Sequence, residues 1–165
     1  MRKPGFARLR PRRLVDEILA AGIVALVGAA GFASIADDGT LVPYAVVGDA
    51  IPASLTGTDG DPVRGQAIVL DRRLGACLLC HTGPFSDVKL QGTLAPDLSR
   101  VGLRWTAGQL RLRLVDPARF NPATIMPAYY RVEGLTRVGN SWRGKPILTA
   151  EQIENVVAFL SSLRD

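Results

Sequence analysis

The fold class predicted by this sequence is all-α, and three observations predict it. Thr106 with Gln109 and Thr149 with Gln152 are capping-box pairs, each opening an apolar run. Asp61 followed by Pro62 has the form of a helix start, an acceptor side chain ahead of a residue with preset φ. In the last segment Ile153, Val156, Val157, Leu160 and Leu163 recur on one side of a helix, a stripe that must bury itself against something. A chain of 165 residues, 47% hydrophobic, has room for one compact domain.

The elements follow in order. Residues 1–36 read as an export signal. A basic start (Arg2, Lys3, Arg8, Arg10, Arg12, Arg13) precedes an apolar run from Ile18 to Ala36, and Ser34-Ile35-Ala36 offers a small-x-small cleavage site after Ala36. The alternative is an uncleaved membrane anchor, since the run just reaches the roughly 20 residues needed to span a bilayer. Either way the folded part lies outside the cytoplasm, which in a bacterium means the periplasm. Most of the net charge of +5 sits in this segment, so the basic balance does not indicate a nucleic-acid partner.

Residues 37–61 hold four glycines and two prolines without helical periodicity and predict an extended arm wrapping a domain at 62–165. A first helix is expected from Pro62 to about Asp71. Residues 82–98 are a loop. The segment after Thr106 runs to Asp116, where Pro117 stops it; the alternation Leu110-Arg111-Leu112-Arg113-Leu114 suits a helix or a strand with one wet face. The terminal helix, with Glu151 and Glu154 off its apolar side, should pack on the first, where Gly65 lets Phe159 or Leu160 approach the backbone.

Cys77-Leu78-Leu79-Cys80-His81 gathers both cysteines and the only histidine of the chain. Cys-x-x-Cys-His is the attachment signature of c-type haem: two thiols reach two vinyl groups, and the adjacent imidazole reaches the iron. Three other readings compete. A structural zinc site wants four ligands, a thioredoxin-like pair wants a strand-turn-helix setting, and a plain disulfide needs only two thiols. With one covalent haem, His81 is the proximal iron ligand. Met126 is the candidate for the other axial position, because no second histidine exists and Pro127 would stiffen its loop. Lys89, Lys145, an open position, or a packing role for Met126 are the alternatives.

The Pro96 carbonyl is the candidate acceptor for the other N–H of His81, unless Pro96 is an ordinary loop proline. Trp105, Tyr129 and Tyr130 either contact haem propionates and wall the pocket or belong to the core. Arg100, Arg104, Arg111, Arg113 and Arg119 form a loose basic region, either a solvated face or a docking or propionate site. Two filled axial positions favour electron transfer over binding of small molecules at iron. A freely diffusing electron carrier, and a haem enzyme or gas sensor with a dissociable ligand, are the rival functions.

Three stretches carry a family likeness: Gly102-Leu103-Arg104-Trp105-Thr106-Ala107-Gly108-Gln109-Leu110-Arg111-Leu112-Arg113, Asn121-Pro122-Ala123-Thr124-Ile125-Met126-Pro127-Ala128-Tyr129-Tyr130-Arg131, and Gly144-Lys145-Pro146-Ile147-Leu148-Thr149-Ala150. Together with Val47-Gly48-Asp49-Ala50-Ile51-Pro52 they resemble SoxX, the monohaem class I cytochrome c subunit of bacterial Sox sulfur-oxidising systems. The likeness runs from about residue 41 to 163 and departs from a generic class I cytochrome c in the long arm and the two tyrosines after Met126. It implies a heterodimer with a haem-bearing SoxA subunit that carries the catalytic cysteine. The complex would join thiosulfate to a cysteine of the SoxYZ carrier, with this chain passing electrons to a small cytochrome c. Nothing in the likeness assigns a role to residues 83–93.

Overall fold

In the computed structural model the residues described are 41–165, and they belong to one compact unit. The leader expected at 1–36 and the first residues of the arm fall outside them. Four α-helices organise the domain: α1 Pro62–Leu70, α2 Val101–Arg104, α3 Ala107–Val115 and α4 Ala150–Ser162. Short 3-10 turns at Cys77–Leu79, Pro117–Arg119 and Asn140–Trp142 punctuate the connections. Among the described residues there is no strand, only an isolated bridge between Val47 and Ala50, and no helix long and apolar enough to cross a membrane.

The capping signals act as read. Asp61 Oδ1 accepts from the N–H groups of Val63 (2.8 Å) and Arg64 (3.2 Å), satisfying donors that α1 leaves open. Both capping boxes are closed reciprocally, Thr106 with Gln109 and Thr149 with Gln152. The ambiguous 110–114 run is therefore helical. Its cap and its following Pro117 decide what the alternation left open.

α4 is the central element, packed along α1 and also touching α2 and α3. Ile153, Val156, Val157 and Leu160 are buried, as the stripe requires. A Cβ on Gly65 would overlap the carbonyl of Asn155 and come within 2.8 Å of the Phe159 Cβ, so α1 and α4 meet backbone to backbone at this glycine. Phe159 is the neighbour expected there; the closest partner, Asn155, was not.

Two charged residues sit elsewhere than expected. Arg111 does not belong to a solvated or docking face: it and Glu154 are 5% and 2% exposed, and they form a bidentate ion pair inside the core. The pair also binds backbone of the 41–61 segment, where Arg111 Nη1 donates to the Ile51 carbonyl (2.6 Å) and Glu154 Oε1 accepts from Leu55 N–H (2.9 Å). Ile51 and Leu55 enter the core on either side of these contacts. Further along, Asp61 N–H donates to the Asn155 side chain, and Val42 N–H to the Tyr130 hydroxyl. The segment is thus held by side chains reaching out of the helical core.

Candidate haem site

The Cys77-to-His81 motif follows α1 through a tight turn. Ala76 adopts a left-handed conformation (φ 52°), uncommon for a residue with a side chain, and its N–H donates to the Asp71 carbonyl. Cys80 and His81 both direct their N–H groups to the Cys77 carbonyl, coiling the motif so that its three donor side chains emerge close together. Cys77 and Cys80 are not joined to each other.

His81 is oriented by the segment after it. The N–H groups of Ala95 and Leu98 donate to the carbonyls of Cys80 and Thr82, which lays 95–98 beside the motif. Asp97 fastens it further, accepting from the Thr82 hydroxyl (2.6 Å) and from Ser99 N–H (2.6 Å); these hydrogen bonds hold its carboxyl below the usual carboxylate range. The Pro96 carbonyl oxygen comes to lie 2.7 Å from His81 Nδ1. A carbonyl can only accept, so in this contact Nδ1 is the donor, and Nε2 is the ring nitrogen left for another partner.

Two adjoining cavities open on this imidazole. One of about 370 Å³ runs inward, past Val69, Leu98, Val101, Leu110, Leu114, Val156 and Leu160, and the other, of about 560 Å³, spans the motif and the 123–129 segment. They share Cys77, His81, Pro96, Asn121, Thr124 and Met126 in their linings. Met126 is partly buried against the core, and its N–H is held by the Thr124 hydroxyl (3.1 Å). Lys89 and Lys145 are exposed and line neither cavity.

The aromatic and basic residues divide. Trp105 lines the inner cavity, and the Arg113 guanidinium is clamped between its ring and that of Phe120, 3.6 and 4.0 Å from the two centroids. Arg104 reaches the same cavity while donating to the Asp97 carbonyl. Arg100 and Arg119 are exposed and line neither cavity. Tyr129 lines the larger cavity with its hydroxyl donating to the Gly75 carbonyl (2.6 Å), whereas the Tyr130 hydroxyl faces Val42 and its ring is core. Burial pushes the Cys77 thiol up to about 11, the reverse of what an attacking redox cysteine requires.

The loop at 83–93 folds back onto the motif. Gly92 N–H donates to the Leu78 carbonyl, and a side chain on Gly92 would overlap the Leu79 carbonyl. Gln91 fills the loop, accepting from Gly83 N–H and donating to the carbonyls of Phe85 and Val88. Sequence reasoning missed Gln91, because a polar residue in a loop gives no sign that its amide points inward.

The donor set suits an iron porphyrin better than a bare ion. Among the described residues no three His, Cys, Asp or Glu side chains converge as a metal-ion site. Instead an oriented imidazole, a thioether and two thiols border one largely apolar space, which is the chemistry haem c asks for.

No family model matches the chain, and no curated protein does. Among solved structures it is similar to the crystal structure of SoxXA from P. pantotrophus, with 40% sequence identity and a TM-score of 0.70, over 77% of this chain and 99% of that chain. The all-α arrangement described above is accordingly a class I cytochrome c fold. Identity at that level along nearly the whole of the matched chain places this protein in the SoxX family.

Proposed function

We propose that this protein is the monohaem c-type cytochrome subunit of a SoxXA-type complex and carries its electrons. The observation that supports this most directly is the His81 imidazole held by the Pro96 carbonyl at 2.7 Å, on a cavity whose lining it shares with Met126 and the motif thiol Cys77. Cys77 and Cys80 would form the two thioether links. His81 and the Met126 sulfur would hold the iron. Bound haem supplies a one-electron iron couple, and a Met/His ligand pair raises its potential.

The chain's own residues then have defined tasks. The Pro96 carbonyl fixes the tautomer of His81 and its ring plane. Leu98, Val101, Leu110, Leu114, Val156 and Leu160 keep water from the inner cavity. Arg104 and Arg113 bring two cations, against the single carboxylate of Asp97, to a largely apolar wall, which suits the carboxylates a haem carries. Pro127 and the Thr124 hydroxyl stiffen the loop that presents Met126.

In this reading the partner is a SoxA-type haem subunit that holds the catalytic cysteine. Coupling thiosulfate to a cysteine sulfur of a SoxYZ-type carrier releases two electrons, so a one-electron relay serves twice per event before a small cytochrome c takes each electron. Both thiols of this chain are committed to thioethers, and none remains for the sulfur chemistry itself. The setting is the periplasm, after export and cleavage behind Ala36. Purification of the native protein under mild conditions tests the assignment: a second haem protein should travel with it in equal amount. A chain that migrates alone at every salt concentration is a free carrier instead.

A further inference from the structure

Charge is distributed unevenly over the described residues. Residues 41–165 carry 14 basic and 11 acidic side chains, an excess of three. The segment 131–146 holds Arg131, Arg137, Arg143 and Lys145 against Glu133 alone, which is the whole of that excess. Everything else in 41–165 balances to zero.

This segment is an Ω-type loop, because its two ends meet: Ile147 and Leu148 both donate their N–H groups to the Tyr129 carbonyl (2.8 and 3.0 Å), and Arg131 N–H donates to the Val115 carbonyl. Arg131 is used internally, paired with Asp116 and bonded to the Glu133 carbonyl. Arg137, Arg143 and Lys145 are exposed, and their side chains make no ion pair or hydrogen bond with any described residue, although Lys145 N–H donates to the Trp142 carbonyl within the loop. Arg137 is moreover held in the left-handed region (φ 60°), a conformation that costs a residue with a Cβ on the order of 1 kcal/mol. Arg137 and Arg143 border a concavity of about 300 Å³ whose other walls include Val132, Leu135 and Val138. Trp142 stands beside Arg143 in the sequence, 52% exposed.

We propose that the 131–146 loop is a docking surface for an acidic protein, which engages Arg137, Arg143 and Lys145 and covers Trp142. A free small anion is the poorer occupant: two solvated guanidinium groups at an open concavity gain only about 0–1 kcal/mol per exposed pair. A protein surface with several carboxylates gains on each cation at once. It also buries Trp142 and Leu135, and tryptophan and arginine are the residues in which binding energy concentrates. Three exposed cations gathered in one loop steer such a partner during encounter. None of these loop residues lines the two cavities beside His81, so docking here leaves the mouth near Leu79, Leu94 and Ile125 open to a second protein.

The test reads binding rather than redox activity, so it stands apart from the haem assignment. The full purified protein is titrated with a poly-glutamate chain at low and at physiological ionic strength, with amide shifts locating the contact. Arg137→Gln, Arg143→Gln and Lys145→Gln combined should weaken binding at low salt at least tenfold. Removing equal charge at Arg73, Arg100 and Arg119 should weaken it less than threefold, and shifts should cluster at 131–146 including the Trp142 indole. Equal losses in the two variants, shifts elsewhere, no binding at low salt, or sulfate alone binding the loop as tightly as the polymer would each overturn the proposal.

Discussion

Arg111 of α3 and Glu154 of α4 face each other through two parallel hydrogen bonds, Nε to Oε1 at 2.7 Å and Nη2 to Oε2 at 2.8 Å, with both side chains nearly inaccessible. Their remaining capacity goes to Ile51 and Leu55 of the arm. The pair is therefore a three-way junction between two helices and an irregular segment. It holds in one register a stretch with no ladder of its own.

Breaking one half should cost more than removing both. Glu154→Ala leaves the Arg111 charge buried and Leu55 N–H unpaired, and about 3–5 kcal/mol of stability should be lost. Arg111→Met with Glu154→Leu should recover much of that loss in urea titration while leaving the 41–55 segment faster in amide exchange. A single variant as stable as the parent would show that the junction carries no strain of desolvation.

Gly65→Ala places a methyl group where the Asn155 carbonyl already lies. Because the obstacle is backbone, neither helix can yield locally, and a loss of at least ~2 kcal/mol is expected in thermal or denaturant unfolding. A melting temperature within a degree of the parent would mean that α1 and α4 tolerate separation.

Asp61 and Asp71 give the stability its acid limb. Asp61 is held below the ordinary carboxylate range by the N–H groups of Arg64 and Val63, and Asp71 by those of Arg73 and Leu74. Carboxyls lowered by folding stabilise above their unfolded value of about 3.9, and the gain disappears as pH falls through the folded value. The melting temperature should be level from about pH 7 to 5 and decline below about 4. Asp61→Asn with Asp71→Asn should flatten that decline, since asparagine still caps but does not titrate.

The caps of α1, α3 and α4 and the apolar stripe of α4 were legible because each depends on a few neighbouring residues. α2 was not: its N-cap, Arg100, is left-handed with no side-chain cap, and four residues give no periodicity. The Arg111–Glu154 pair was hidden for another reason. Arginine in alternation with leucine, and glutamate off an apolar stripe, both read as the wet side of an element, and nothing local reveals that the two charges, 43 positions apart, cancel each other inside. The hydrogen bond between His81 and Pro96 was foreseeable from a general need of metal-bound imidazoles; the Thr82, Asp97 and Ser99 contacts that hold it in place were not.

Met126→Ala should open one axial position. The reduced variant should bind carbon monoxide fully and rapidly where the parent does not, and its reduction potential should fall. An optical spectrum identical to that of the parent would remove Met126 from the ligand set.

The central claim is that one haem is linked through carbon–sulfur bonds to Cys77 and Cys80, and the direct measurement is the mass and colour of the purified protein after denaturation and acid extraction. The account predicts a coloured polypeptide heavier than its amino acids by a single haem, and a colourless one once both cysteines are replaced by serine. A chain that loses its colour to the solvent and weighs no more than its sequence would contradict it.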